Sequence, residues 1–148
     1  MEKIVDYYNF ADNDYQYLKD SIQAGFVSNA MCANAQCVCE RFLKSVIESF
    51  AANLNDTDVM KTYNLKKLRR FIDKNISDFK CDWSRILQAD GYYYSARYPG
   101  DDSFFVDKDD VLTCWEAVKE TKEAVDNYRA NHKTKVSPMN AFDSFQSK

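Results

Sequence analysis

Apolar residues recur along most of the chain at alternating spacings of four and three, the period of a helix with one buried face. Ile4, Tyr8, Ala11, Tyr15, Leu18 and Ile22 form the first stripe. Gly25 follows it directly, where a left-handed residue would close the helix. Ser28 is placed to cap a second helix running to about Phe50, with Met31, Ala35, Val38, Phe42 and Val46 on one line and Leu43, Ile47 and Phe50 widening it. So broad an apolar surface predicts a helix that is central in its bundle or buried in an oligomer interface.

Asn53 to Asp58 reads as a polar loop, after which Asn64 caps a short helix carrying Leu65, Leu68, Phe71 and Ile72. Asp82 can cap a fourth helix through Trp83, Ile86 and Leu87 toward Tyr94. The segment from Arg97 to Ser103 is turn-rich, with Pro99 and Gly100 against helical continuation. Asp107 precedes a last long helix, whose first turn holds Asp109 and Asp110 and whose buried face is Val111, Trp115, Val118, Val125 and Tyr128. Periodicity is lost after His132, so 133–148 is expected to be a flexible tail in which Phe142 and Phe145 could still dock. With no internal repeat, the expectation is an all-α, up-and-down bundle of four to five helices over residues 1–132.

Composition supports helices over a turn-rich β fold, since only three Gly and two Pro occur in 148 residues. Ten Tyr and ten Phe predict a ring-built core, with Trp83 and Trp115 as core or interface anchors. A net charge of −3 argues against gripping nucleic acid by bulk electrostatics, and leaves room for a local patch. Lys61, Lys66, Lys67, Arg69, Arg70 and Lys74 form that patch. It suits phosphate or RNA contact and equally a solvated face, because no glycine-rich phosphate loop accompanies it.

Five cysteines, Cys32, Cys37, Cys39, Cys81 and Cys114, are an odd number and point to reduced thiols. Cys32, Cys37 and Cys39 have neither zinc-ligand nor CxxC spacing, so they are expected as small buried hydrophobes, with no metal and no cofactor. The opening MEKIVDYYNF has no apolar signal core, and no uninterrupted apolar run reaches about 18 residues. A cytoplasmic protein with no membrane span is expected.

Four fragments share one resemblance. Ala11 to Gly25 (ADNDYQYLKDSIQAG) and Asn34 to Ile47 (NAQCVCERFLKSVI), with Gln36, Glu40 and Lys44 at its polar positions, resemble the two opening helices of HEPN domains. Thr62 to Leu65 (TYNL) looks like the family's Thr-His-Asn/Asp-Leu helix start, and Ala96 to Asp102 (ARYPGDD) like its Ala-Arg-Tyr-Pro loop. The resemblance spans roughly residues 6 to 132, with the fragments in the family's order.

It implies a homodimer, a helical fold, and a role as a binding module for an MNT-type nucleotidyltransferase partner, a nucleotide or RNA, in a toxin–antitoxin or defence context. It also places Arg97, Tyr98, Asp101 and Asp102 near the dimer cleft as candidate ligand contacts, although a loop-stabilising ion pair would use the same residues. Asn34 and Tyr63 stand where related chains often have His. HEPN ribonucleases use an Arg followed after four to six residues by His. The only histidine here is His132, and Val125, Asp126 and Asn127 occupy the positions that would need Arg. With that motif absent, no catalytic residue is assigned. The alternative is a divergent ribonuclease using Arg97 with another acid or base, such as Tyr98 or a carboxylate.

Overall fold

The computed structural model describes residues 6–51, 57–95, 98–100 and 103–132. Its helices are α1 (Tyr7–Gln23), α2 (Asn29–Phe50), α3 (Thr57–Lys61), α4 (Leu65–Asn75), α5 (Trp83–Ile86), α6 (Tyr92–Ser95) and α7 (Lys108–Asn131), with a 3-10 turn at Leu87–Ala89. No strand occurs among the described residues.

Local chemistry sets the helix starts, at Ser28, Asn64 and Asp107 where the sequence places them and at Asp6 in addition. Side chains of Asp6, Ser28, Asn64 and Asp107 each accept the backbone N–H three residues on, satisfying donors that the helix itself leaves open. Asp107 and Asp110 do so reciprocally, as a capping box. After α1, Gly25 takes φ 84°, and the N–H groups of Gly25 and Phe26 donate to the carbonyls of Ile22 and Ser21. That bond pair is a Schellman closure, which a side chain at Gly25 would strain.

Helix α2 is the axis of the bundle, packed against α1, α4, α6 and α7. Its residues Met31 to Ile47 are almost all buried, so its broad apolar surface is covered by its own chain. Of the two expectations for this helix, the central position is the one realised. Phe42 is fully buried, with the rings of Tyr8 and Tyr15 meeting it edge-on at 5.5 and 6.3 Å. Such ring pairs add about 0.5–1.5 kcal/mol each beyond the area they bury. Trp115 stacks on Tyr15 at 5.3 Å, and Trp83 packs beside Phe79 at the core margin. Tyr8 Oη donates to Asp126, which also accepts from Lys122, so α1 and α7 are joined by polar contacts at the core edge.

Two expectations need correction. The segment expected to be loop up to Asp58 already contains α3 from Thr57. The fourth helix is not continuous: α5 gives way to the 3-10 turn, and Gly91 at φ 91° breaks the path before α6. Asp90, at the break, accepts the backbone N–H of Leu65. A side chain from this segment thereby serves the open first turn of α4, a long-range tie that a continuous helix would not offer. The residues expected as a flexible tail, 133–148, lie outside the described residues.

Candidate functional site

The loop singled out by sequence is only partly described, because Arg97, Asp101 and Asp102 lie outside the described residues. Tyr98 is half-exposed, and Ser103 Oγ donates to its carbonyl. Downstream, Asn29 fastens the chain to the start of α2: its Nδ2 donates to the Phe104 carbonyl and its Oδ1 accepts from Val106 N–H, both at 2.8 Å. This clamp leaves Phe105 96% exposed, with Phe104, Phe26 and Val27 also open to solvent.

The basic run on α4 is divided by helical geometry. Lys67, Arg70 and Lys74, three and four residues apart, line one groove of about 560 Å³ together with Phe71, Asn75 and the α3 residues Asp58 and Val59. Arg69 points elsewhere, ion-paired with Asp73 at 3.3 Å and lying over the Trp83 ring at 5.7 Å. Lys66 is exposed and does not line the groove. Of the six residues of the basic patch, Lys67, Arg70 and Lys74 are brought together in this groove, Lys66 and Arg69 are not, and Lys61 lines a different cleft.

A second cleft, of about 350 Å³, lies over α2 and is lined by Tyr7, Phe10, Glu40, Arg41, Lys44, Met60, Lys61 and Tyr63. Glu40 and Lys44, in its lining, belong to a polar stripe inside the most apolar helix. Gln36, Glu40 and Lys44, spaced by four, are respectively 1%, 3% and 4% exposed. Lys44 Nζ donates to Glu40 Oε1 at 2.9 Å and sits 5.8 and 5.9 Å from the ring centres of Tyr7 and Tyr63. Gln36 Nε2 donates to the Tyr63 carbonyl, pinning the backbone at the rim. Arg41 pairs with Asp14 and covers the Phe10 ring at 4.6 Å.

Buried ions are expensive unless paired, and here pairing is incomplete. Glu40 Oε2 is buried without a hydrogen-bond partner. Burial pushes the Glu40 carboxyl up, and Lys44 partly offsets that. Sequence reading identified these three positions as part of the family resemblance and not as a site. Their fourfold spacing within an apolar surface was the available signal.

His132 is employed structurally. Its Nδ1 and Nε2 face the Tyr128 carbonyl at 2.8 Å and Asp78 Oδ2 at 2.9 Å, and its ring stacks on Tyr128 at 3.9 Å. Asp78 also accepts from Tyr128 Oη, which holds its carboxyl below the ordinary 3.8, with His132 adding to the effect. A depressed folded pKa gives stability that is complete above the unfolded value and is lost as pH falls through the folded one. The Tm advantage of the native chain over Asp78→Asn should therefore hold at neutral pH and shrink below pH 3.8. Thermal melts along an acid series check this, and a constant gap would refute the linkage.

The cysteines behave as the expected small hydrophobes. Cys32, Cys37, Cys39 and Cys114 are buried, and desolvation pushes the Cys39 thiol up to about 12, far from nucleophilic. Among the described residues no cluster of His, Cys, Asp or Glu is arranged to hold a metal ion, and no helix is long and apolar enough to cross a membrane.

An all-α bundle around one buried helix, with a polar stripe on that helix and a cationic groove beside it, defines the class of protein. The chain belongs to the HEPN family: the family model described as HEPN domain matches residues 4–128. Membership connects it to nucleotide- or RNA-related function, whether cleavage or binding. Neither the curated proteins nor the solved structures offer a match.

Proposed function

We propose that the protein is a non-catalytic HEPN module that homodimerises and binds nucleotide or RNA phosphate along the groove of Lys67, Arg70 and Lys74, with an MNT-type nucleotidyltransferase as its protein partner. The observation that carries this reading is the engagement of His132. It is the only histidine of the chain, and both ring nitrogens and the ring face are held by Asp78 and Tyr128. No other side chain type titrates near neutrality unless perturbed, and the Arg-and-His pairing of the family's ribonucleases has no counterpart around His132.

Binding is supported by three cations, against the single carboxylate of Asp58, lining one groove with an apolar wall, a local excess of positive charge suited to phosphate despite the negative net charge. Dimerisation is supported by the exposed Phe26, Val27, Phe104 and Phe105, since monomers rarely leave large apolar patches in water. A two-fold interface at this end would face the patch with its own copy, and Arg97, Tyr98, Asp101 and Asp102 precede Phe104 closely in the sequence.

Incubation with total RNA or tRNA should retard the RNA without shortening it, and light scattering across a dilution series should give twice the 17.2 kDa chain mass. Cleavage that disappears in Arg97→Ala would overturn the non-catalytic reading. A monomer persisting at high concentration would remove the dimer, and a host pull-down without a nucleotidyltransferase would remove that partner.

A further inference from the structure

Helix α3 is a wall between two cavities. Asp58 and Val59 face the groove of Lys67, Arg70 and Lys74, while the next two residues, Met60 and Lys61, face the cleft over Glu40 and Lys44. The groove offers three cations on an open surface, with Asp58, Asn75 and Phe71 beside them. The cleft differs in kind, because it has a buried acceptor and a buried donor side by side, with aromatic rings flanking them.

We propose that this cleft is a nucleobase site, in which a planar base lies against Tyr63 and Tyr7 and its hydrogen-bonding edge meets Glu40 and Lys44, while Lys61 takes the attached phosphate. The ligand class rests on the nucleotide reading above; the site is separate from the groove. Glu40 Oε1 is occupied by Lys44, and Oε2 has no donor. A buried carboxylate oxygen without a donor is costly, so a ligand N–H delivered there would be well rewarded. Lys44 is donor-only and has hydrogens beyond the one given to Glu40.

An acceptor-only oxygen beside a donor-only ammonium is the complement of an edge that carries adjacent donor and acceptor groups, which nucleobases present. Inorganic anions present no such edge, a carboxylate ligand would meet Glu40 as a like charge, and a sugar diol, whose hydroxyls both donate and accept, has no flat face to lay against Tyr7 and Tyr63. The cleft volume, about 350 Å³, lies at the small end of the range for small-molecule sites. Because Glu40 is only 3% exposed, the base must displace a covering group to reach it. Tyr63 lines the cleft with its ring 5.9 Å from the Lys44 ammonium, and the base takes over that ring contact as it approaches Glu40. Stacking on such a ring is tolerant of base identity, and the Glu40–Lys44 edge adds discrimination.

The base could come from a free mononucleotide or from a single strand whose phosphates run over α3 into the groove. Calorimetric titration of the full chain with the four nucleoside monophosphates, with ribose 5-phosphate and with short single-stranded RNA homopolymers separates these sources. At least one base, free or in a strand, should bind roughly tenfold tighter than ribose 5-phosphate, and Glu40→Gln should remove about that factor. Tyr63→Ala, at an exposed position, should weaken the same ligand and serves as the test if Glu40→Gln fails to fold by circular dichroism.

Base dependence with monophosphates identifies the free nucleotide as the source, and base dependence only with homopolymers identifies the strand. Ribose 5-phosphate binding as tightly as every nucleotide, no binding by any of these ligands, or affinities unchanged in both variants would overturn the base site. The groove reading fails separately, if Lys67→Glu/Arg70→Glu/Lys74→Glu retains native RNA affinity.

Discussion

Glu40→Ala is expected to destabilise the protein by about 3–5 kcal/mol, the usual cost of breaking a buried ion pair by removing one partner. Against a total stability of about 5–15 kcal/mol this is a large fraction. The cause is the ammonium left behind: Lys44, 4% exposed, would keep only the faces of Tyr7 and Tyr63, near the outer limit of useful cation–π distance. The pair itself is not a source of stability. Because burial raises the Glu40 pKa, its ionisation costs stability at neutral pH, and that cost shrinks as pH falls toward the unfolded carboxylate value. This is opposite in sign to Asp78.

Replacing both partners by apolar groups, as in Glu40→Leu/Lys44→Met, should accordingly restore stability to near the native value or above it. Urea unfolding of the native chain, the single variant and the double variant tests the argument. A single variant within about 1 kcal/mol of native would mean that water from the cleft already solvates the pair. A double variant as unstable as the single one would mean that the stripe is required by the fold. The expected outcome, an apolar floor that is at least as stable, would identify the charges as retained for binding rather than for folding.

The fold was legible where its causes are local. Ser28, Asn64 and Asp107 cap their helices by bonds spanning three residues, and Gly25 closes α1 by its own backbone freedom, so short-range chemistry sufficed. It failed for the fourth helix because the break combines a left-handed Gly91 with the tie from Asp90 to Leu65, across 25 positions. The five-residue α3 was too short to show a period. Fragment order, not periodicity, pointed to the HEPN family.

The site was legible in composition and less so in geometry. The cationic run was visible, and the helical period alone could have separated Lys67, Arg70 and Lys74 from Arg69. Gln36, Glu40 and Lys44 were visible as polar positions, but their meaning depends on burial, which comes from α1, α3 and the Tyr63 segment folding over α2. A charge on an exposed helix face and a charge under a lid look the same in sequence. Only the second carries an unsatisfied oxygen.

Reversing the groove, as Lys67→Glu/Arg70→Glu/Lys74→Glu, is expected to weaken single-stranded RNA binding by roughly a hundredfold or more at low salt. Three phosphate contacts on a single strand correspond to a slope of roughly −2 in log K against log salt, and losing them removes that electrostatic contribution before any repulsion is added. Folding should survive, because the three side chains line an open groove while α4 is anchored by the buried Leu65, Leu68 and Ile72. Arg69→Glu, set against the single groove change Arg70→Glu, makes the matched control, since each alters the charge by two. It alters charge on the same helix, but its native partner is Asp73 and not the groove, so it should lower affinity much less. Fluorescence anisotropy over a salt series gives both quantities, affinity and slope. If Arg69→Glu weakens binding as much as Arg70→Glu, with the same loss of slope, RNA is responding to the general charge of α4 and the groove has no special role.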